Sequence, residues 1–220
     1  MRIRKKKWAP AELSSALFYE EAPARHRGHW SEEFKNSQNP FWVELGCGKG
    51  VSTAKLAAAS PNVNILAIDI KSDVLAVAKR NVDEEFSKIG RWADNIFLTA
   101  YDIENLTEIL SPRDKIQRLL INFCNPQPKA RSNKHRLTHT RQLNIYKAFL
   151  TEESIISFKT DDDGLFLTTR DEYFPEAGFK ILEEAWDLSI NHPESQYLSE
   201  HEKKFREMGL PIHYISAALK

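Results

Sequence analysis

Residues 41–45 (FWVEL) form a short apolar run, and 51–59 follow with apolar side chains at helical spacing. Runs at 64–69 (NILAID), 95–100 (NIFLTA), 118–123 (RLLINF) and 154–160 (SIISFKT) repeat the first type. They read as strands, and the nearly all-apolar 118–123 reads as one buried on both faces. Between them, 72–88 sets Val74, Leu75, Val77, Ala78, Val82 and Phe86 near one helical face, with Ser72 as the expected N-cap. Residues 141–150 and 165–174 are the next predicted helices, and 179–186 and 211–219 the last strands. This alternation predicts an α/β fold. The sheet is expected to be mainly parallel, with the final two strands as an antiparallel edge hairpin. The polar connection 187–210 is long for a structureless one, so it is expected to be functional or partly helical.

Residues 1–40 are polar and aromatic, broken by Pro10, Pro23 and Pro40. They read as an N-terminal extension, with one domain over 41–220. A length of 220 residues suits that reading, and 41% hydrophobic with 28% charged residues excludes a disordered or fibrous chain. No apolar run approaches the roughly 20 residues that span a bilayer, so no membrane association is expected. The basic start is not followed by an apolar segment, so it does not read as a secretory signal. Two cysteines, Cys47 and Cys124, are too few for a disulfide scaffold and fit a cytoplasmic location.

Charge changes the picture more. The net charge is +0, yet residues 1–7 carry five cationic side chains. From Lys115 to Thr151 there is no acid but eight Lys/Arg, including Lys129, Arg131, Lys134 and Arg136. From Glu152 to Glu202 the balance reverses, with fourteen acids. A basic stretch in a neutral protein predicts a polyanion footprint; a solvated basic face is the alternative.

Glu44, Gly46, Gly48 and Gly50 lie in the segment ELGCGKG, directly after a predicted strand and before a helix. Alternate glycines let the backbone turn sharply and approach a ligand, and a helix N-terminus offers free N–H groups. Val51 breaks the G-x-G-x-x-G spacing of dinucleotide sites. The segment instead resembles the first motif of methyltransferases that use S-adenosylmethionine. Asp69 ends the second strand, where a carboxylate can accept from both ribose hydroxyls. Asp102 follows the third, where the resemblance puts an acid beside the adenine. An ordinary helix cap is the alternative for both.

The fourth strand runs into Asn122-Phe123-Cys124-Asn125-Pro126-Gln127-Pro128-Lys129, then a basic segment ending Arg136-Leu137-Thr138. Further on come Phe158-Lys159-Thr160-Asp161 and Ser199-Glu200-His201-Glu202-Lys203-Lys204-Phe205, then Gly209-Leu210-Pro211-Ile212. With the glycine segment, the MRIRKKKWA start and His29-Trp30, the chain resembles the bacterial tRNA (guanine-N7-)-methyltransferases over nearly its whole length. It departs at Asn125 for the family's Asp, Gln127 for its Trp, Ser132 for its usual His or base and His201 for its Tyr. The resemblance implies a doubly wound, Rossmann-like methyltransferase sheet, and methyl transfer from S-adenosylmethionine, with S-adenosylhomocysteine as product, to a variable-loop guanine of tRNA. It implies Glu44, Gly46, Gly48, Gly50, Asp69, Asp102 and Asn125 around the cofactor. It implies substrate contacts from Lys129, Asp161, Ser199, Glu200, His201 and Glu202, to which the basic stretch adds Arg131. Asn125 and Asp161 are the expected catalytic residues. Asp161 or Glu202 suits guanine's N1–H and N2–H₂ donors; a helix cap is the alternative for Asp161. An amino methyltransferase using the Asn125-Pro126 turn, or an inactive RNA-binding paralogue, are the rival readings. His135 and His139 have no third ligand near them in sequence, so no metal is expected. Cys124 reads as core, and the chain as a monomer or homodimer.

Overall fold

The computed structural model describes residues 6–220. Its strands are β1 (Tyr19–Glu20), β2 (Phe41–Leu45), β3 (Asn64–Asp69), β4 (Ile96–Ala100), β5 (Ile116–Asn122), β6 (Ile155–Thr160), β7 (Phe179–Ala185) and β8 (His213–Leu219). They form one sheet in the order β1-β4-β3-β2-β5-β6-β8-β7. All neighbours pair parallel except β8, which runs antiparallel to both β6 and β7. The helices are α1 (Ala9–Ser14), α2 (Val51–Ala59), α3 (Ser72–Lys88), α4 (Thr140–Tyr146), α5 (Asp163–Thr168), α6 (Phe174–Glu176) and α7 (Glu200–Glu207). No helix among the described residues is long and apolar enough to cross a membrane.

The apolar runs become central strands because both faces are covered. In β3, Ile65 and Ala67 join a core with α1, α2 and α3, while Leu66 and Ile68 face the opposite core with Phe158, Phe166 and Tyr146. All four are wholly buried, as a parallel strand between helical layers requires. Chain order reverses at β2: β3 and β4 extend to one side, β5 and β6 to the other. That reversal opens a crevice beyond the carboxyl ends of β2 and β5.

The last two strands form the expected antiparallel pair at the edge of the sheet, while two helix ends depart from expectation. β8 is inserted between β6 and β7, because the connection 186–212 is long enough to carry the chain back inside the edge. That connection holds a 3₁₀ turn (Pro193–Ser195) and α7, so it is partly helical as expected. The helix expected over 141–150 stops at Tyr146, where Ala148 and Phe149 donate three residues back and turn the chain into the core. Ser72 is the first residue of α3 rather than its cap; Lys71 holds the cap position without a side-chain bond.

The extension before residue 40 does not stand apart. β1 pairs with β4, Ala9 and Leu13 of α1 bury beside α3, and Trp30 is fully buried with its Nε1–H donating to the Ile109 carbonyl at 2.8 Å. Of the expected basic start, Arg2, Arg4 and Lys5 lie outside the described residues.

Candidate active site

The loop between β2 and α2 is held by its backbone. Gly46 and Cys47 both donate N–H to the Ile68 carbonyl, at 2.8 and 3.1 Å, which clasps the loop to β3. Gly48 N–H donates to Asp69 Oδ2 at 3.0 Å. Gly50 has φ +63°, and a Cβ there would sit 2.9 Å from the Ala78 Cβ on α3, so only glycine lets α2 pack this close. Gly48 has φ +57° but a different neighbourhood: a Cβ there would meet nothing within 4 Å.

That free space belongs to a cleft of about 310 Å³ lined by Glu44, Gly46, Gly48, Gly50, Asn122, Phe123, Ser199, Glu200 and His201. Glu44 is 4% exposed at its floor. Thr53 donates its hydroxyl to Glu44 Oε2, and Asn122 donates to Oε1 at 3.1 Å. Burial pushes the Glu44 carboxyl above its ordinary value, against the pull of those two donors. A second cleft of about 210 Å³ adjoins the first through Glu44, Ser52 and Asn122, and is lined further by Trp42, Arg118 and Lys159.

The segment leaving β5 is strained. Phe123 has φ +50° and Gln127 φ +49°, left-handed conformations that side chains other than glycine seldom adopt. Phe123 N–H is fixed to the Lys159 carbonyl at 2.8 Å, and its ring lies 6.1 Å from that of Phe205. Asn125 Oδ1 accepts from Gln127 N–H at 2.9 Å, which closes the turn; among the described residues its amide hydrogens have no partner. Burial pushes the Cys124 thiol up to about 12, so it stays protonated, as a core residue would.

One wall of the cleft is the N-terminus of α7. Ser199 caps it, accepting from Glu202 N–H at 3.0 Å, and Glu200 pairs with Lys49 of the glycine loop at 2.8 Å. His201 completes the wall. Glu202 differs from expectation. It is fully buried, with Oε2 accepting from Lys159 at 2.9 Å and Oε1 from Arg206 at 2.9 Å. It holds α7 in place, and its full burial keeps it out of the cleft lining.

Placement of the other expected residues is mixed. Asp69 lies at the loop, its oxygens accepting from Gly48 and Lys71 N–H; each keeps a second lone pair. Asp102 is exposed and caps the turn after β4 by accepting from Glu104 N–H at 3.0 Å, so the ordinary cap describes its contacts here. The cap of α5 is Asp162, which accepts from Leu165 N–H at 2.6 Å. Asp161 is therefore not the cap, and among the described residues its carboxylate has no hydrogen-bond partner. Asn122, Phe123 and Lys49 line the cleft without having been singled out; Asn122 stood inside the quoted motif, one residue before its turn.

The basic stretch also divides. Arg118 pairs with Glu194 and stacks on Trp42, Arg136 donates to the Pro126 carbonyl and Tyr173 hydroxyl, and Arg141 and His135 pair with Glu104. Lys129, Arg131 and Lys134 are exposed and have no acidic partner among the described residues.

Comparison with known proteins agrees with this layout. A family model described as "Putative methyltransferase" matches residues 38–215. A tRNA (guanine-N(7)-)-methyltransferase of Clostridium beijerinckii is 46% identical over 99% of this chain and 98% of its own. One from Ruminiclostridium cellulolyticum is 45% identical over 100% of this chain and 93% of its own. Among solved structures, the 16S rRNA methyltransferase KamB superposes with a TM-score of 0.60 at 12% identity, covering 86% of this chain and 90% of its own. An antibiotic-related methyltransferase gives 0.58 at 18% identity over 85% and 88%. At such identities the likeness speaks for the fold.

Proposed function

We infer from one premise, that this chain belongs to the tRNA (guanine-N(7)-)-methyltransferase family, that it carries a methyl group from S-adenosylmethionine to N7 of a guanine in tRNA. The observation that carries the reading is the shared cleft. The glycine loop and the Ser199–His201 helix start, far apart in sequence, line one cavity.

The cofactor's chemistry fits the residues present: bound, it supplies a methyl group on a positively charged sulfur. The open space over Gly48 is the cradle a Cβ would fill. Glu44 offers buried carboxylate oxygens suited to an ammonium group, and Asp69 offers spare lone pairs to ribose hydroxyls. Asp102 remains an assignment from family resemblance.

Guanine N7 already has a free lone pair, so no proton need be removed before attack. The protein's task is alignment and exclusion of water. The unpartnered Asp161 carboxylate suits the N1–H and N2–H₂ donors of an unstacked guanine. Asn125 holds the turn that leads to Lys129. Lys129, Arg131 and Lys134 suit backbone phosphates. The variable-loop guanine is the target that the family resemblance implies, in a cytoplasmic monomer or homodimer.

Incubating unmodified tRNA with methyl-labelled S-adenosylmethionine tests this. The expected product is 7-methylguanosine at one position. Label on an exocyclic amine, or RNA binding without transfer, overturns it.

A further inference from the structure

His26, His29 and Glu33 stand outside the proposed active site, on the 3₁₀ turns Pro23–His26 and Trp30–Glu33. One ligand atom from each lies within 4.8 Å of the others. We propose that these three side chains bind a late first-row divalent cation such as Zn²⁺, with Glu20 orienting His26 from behind.

The argument rests on the two nitrogens of His26, a ring only 7% exposed. Nε2 lies 2.8 Å from Glu20 Oε2, and that carboxylate is equally buried. Arg25 bridges this pair from outside, with Nη2 on Glu20 Oε2 at 2.7 Å and Nε 2.9 Å from Nε2, on a side chain that is 65% exposed. The buried carboxylate is the partner out of solvent, and donation to it from Nε2 is the tautomer that a metal on Nδ1 requires. Nδ1 then presents a lone pair. It lies 2.9 Å from Glu33 Oε1, outside hydrogen-bond geometry and without a partner. Two lone pairs that close and largely shielded from water repel unless a cation sits between them.

A proton could fill that gap, but it would leave His29 unexplained. His29 joins the same cluster, and its ring has no hydrogen-bond partner among the described residues. Two imidazoles and a carboxylate form a donor set for zinc and its neighbours in the series. Metal bonds of about 2.0–2.2 Å bring these atoms together with small side-chain rotations. A carboxylate on the remote nitrogen of a ligating histidine is the usual outer partner of such sites, as Glu20 is here.

The backbone around the cluster is prearranged. Gly28 turns with φ +90°, and a Cβ there would meet Ser111 Oγ at 3.2 Å. Asp114, 2% exposed, accepts from the N–H of Gly28 at 3.0 Å, Trp30 at 3.1 Å and Ser111 at 2.8 Å. These bonds pin the loop carrying both histidines. A bound ion would tie the strand end at Glu20 to the segment that enters the core at Trp30.

Full-length protein stripped with chelator, then titrated with Zn²⁺ or Co²⁺ alone, tests the site. We expect one equivalent bound by calorimetry, a visible Co²⁺ absorption band and a melting temperature that rises with Zn²⁺. His29→Ala and Glu33→Gln alter exposed or half-exposed groups, so they should fold normally by circular dichroism. Each should weaken Zn²⁺ binding at least tenfold, while His135→Ala keeps it. Absence of stoichiometric binding to wild-type protein would overturn the site. Equal binding by both folded variants would equally overturn the site.

Discussion

Lys159 Nζ lies 2.9 Å from Glu202 Oε2, and through this pair strand β6 holds the helix that walls the cleft. Both side chains are nearly removed from water, at 7% and 0% exposure. Lys159 also donates to the Glu194 carbonyl at 2.9 Å. Removing one partner of a buried pair leaves the other charge uncompensated, at roughly 3–5 kcal/mol. Glu202→Ala should therefore lower the melting temperature by on the order of 10 °C. Cofactor affinity should also fall, because Ser199–His201 lose their anchor. Scanning calorimetry and titration with S-adenosylhomocysteine check this; an unchanged melting temperature refutes it.

Gly48 and Gly50 should fail in different ways. Gly50→Ala forces a Cβ against Ala78 at a left-handed backbone position, and we expect a loss of about 1–3 kcal/mol in stability. Gly48→Val projects into the open cleft. It should abolish S-adenosylhomocysteine binding while costing stability only through its backbone conformation. Denaturant melts beside calorimetric titration separate the two.

Asp161 and Asp162 are neighbours with separate duties. Asp161→Asn should reduce kcat/KM for tRNA about 10- to 100-fold, by setting an amide donor against guanine donors at roughly 1–3 kcal/mol. Its cofactor affinity should be unchanged. Asp162→Ala removes the cap on Leu165 and should cost about 1 kcal/mol of stability. Wild-type kinetics in Asp161→Asn would remove it from the site.

Glu44 gives a pH test with a definite sign. Burial holds its folded pKa above the ordinary 4.5, so the folded state prefers the protonated carboxyl. Its stabilising contribution is complete below the ordinary pKa and is lost as pH rises through the raised one. An ammonium ligand needs the ionised form, so S-adenosylhomocysteine affinity should fall as pH drops through that same raised pKa. Glu44→Gln should flatten both dependences; calorimetry across acidic pH reads them together.

For RNA, Lys129, Arg131 and Lys134 changed together to Ala should weaken tRNA binding and lessen its slope against log salt by about 2–3, through fewer released counterions. Arg136→Ala should act mainly on stability, since its guanidinium braces Pro126 and Tyr173. An unaltered slope in the triple variant would make this a merely solvated face.

What the sequence made legible was local. β2, β3 and β5 stand out because parallel strands buried on both faces are apolar at nearly every position. The glycine segment is legible because its spacing is its geometry. Non-local pairing was legible in part: the antiparallel pair at the edge was expected, but nothing in residues 179–219 tells which of its two strands lies outermost. The duties of Asp161 and Asp162 are settled by which carboxylate reaches the N–H of Leu165, one position apart. Glu202 reads from the sequence as a substrate contact, and only packing against Lys159 takes it from solvent. The His26 cluster depends on a glycine turn that brings Glu33 back, so spacing alone drew attention to His135 and His139 instead.

The placement of β8 between β6 and β7 makes the edge strand depend on its neighbour. Among the described residues β7 has no ladder partner but β8, so it is held to the sheet only through the pairing of β8 with β6. The Lys159–Glu202 contact fastens α7, part of the connection between β7 and β8, to β6 across 43 residues of chain, and pairing at such separation is slow to form. Backbone amides of β7 and α7 should accordingly exchange through smaller openings than those of β2 and β3. The cofactor's glycine loop would exist as folded structure before the wall that completes its cleft.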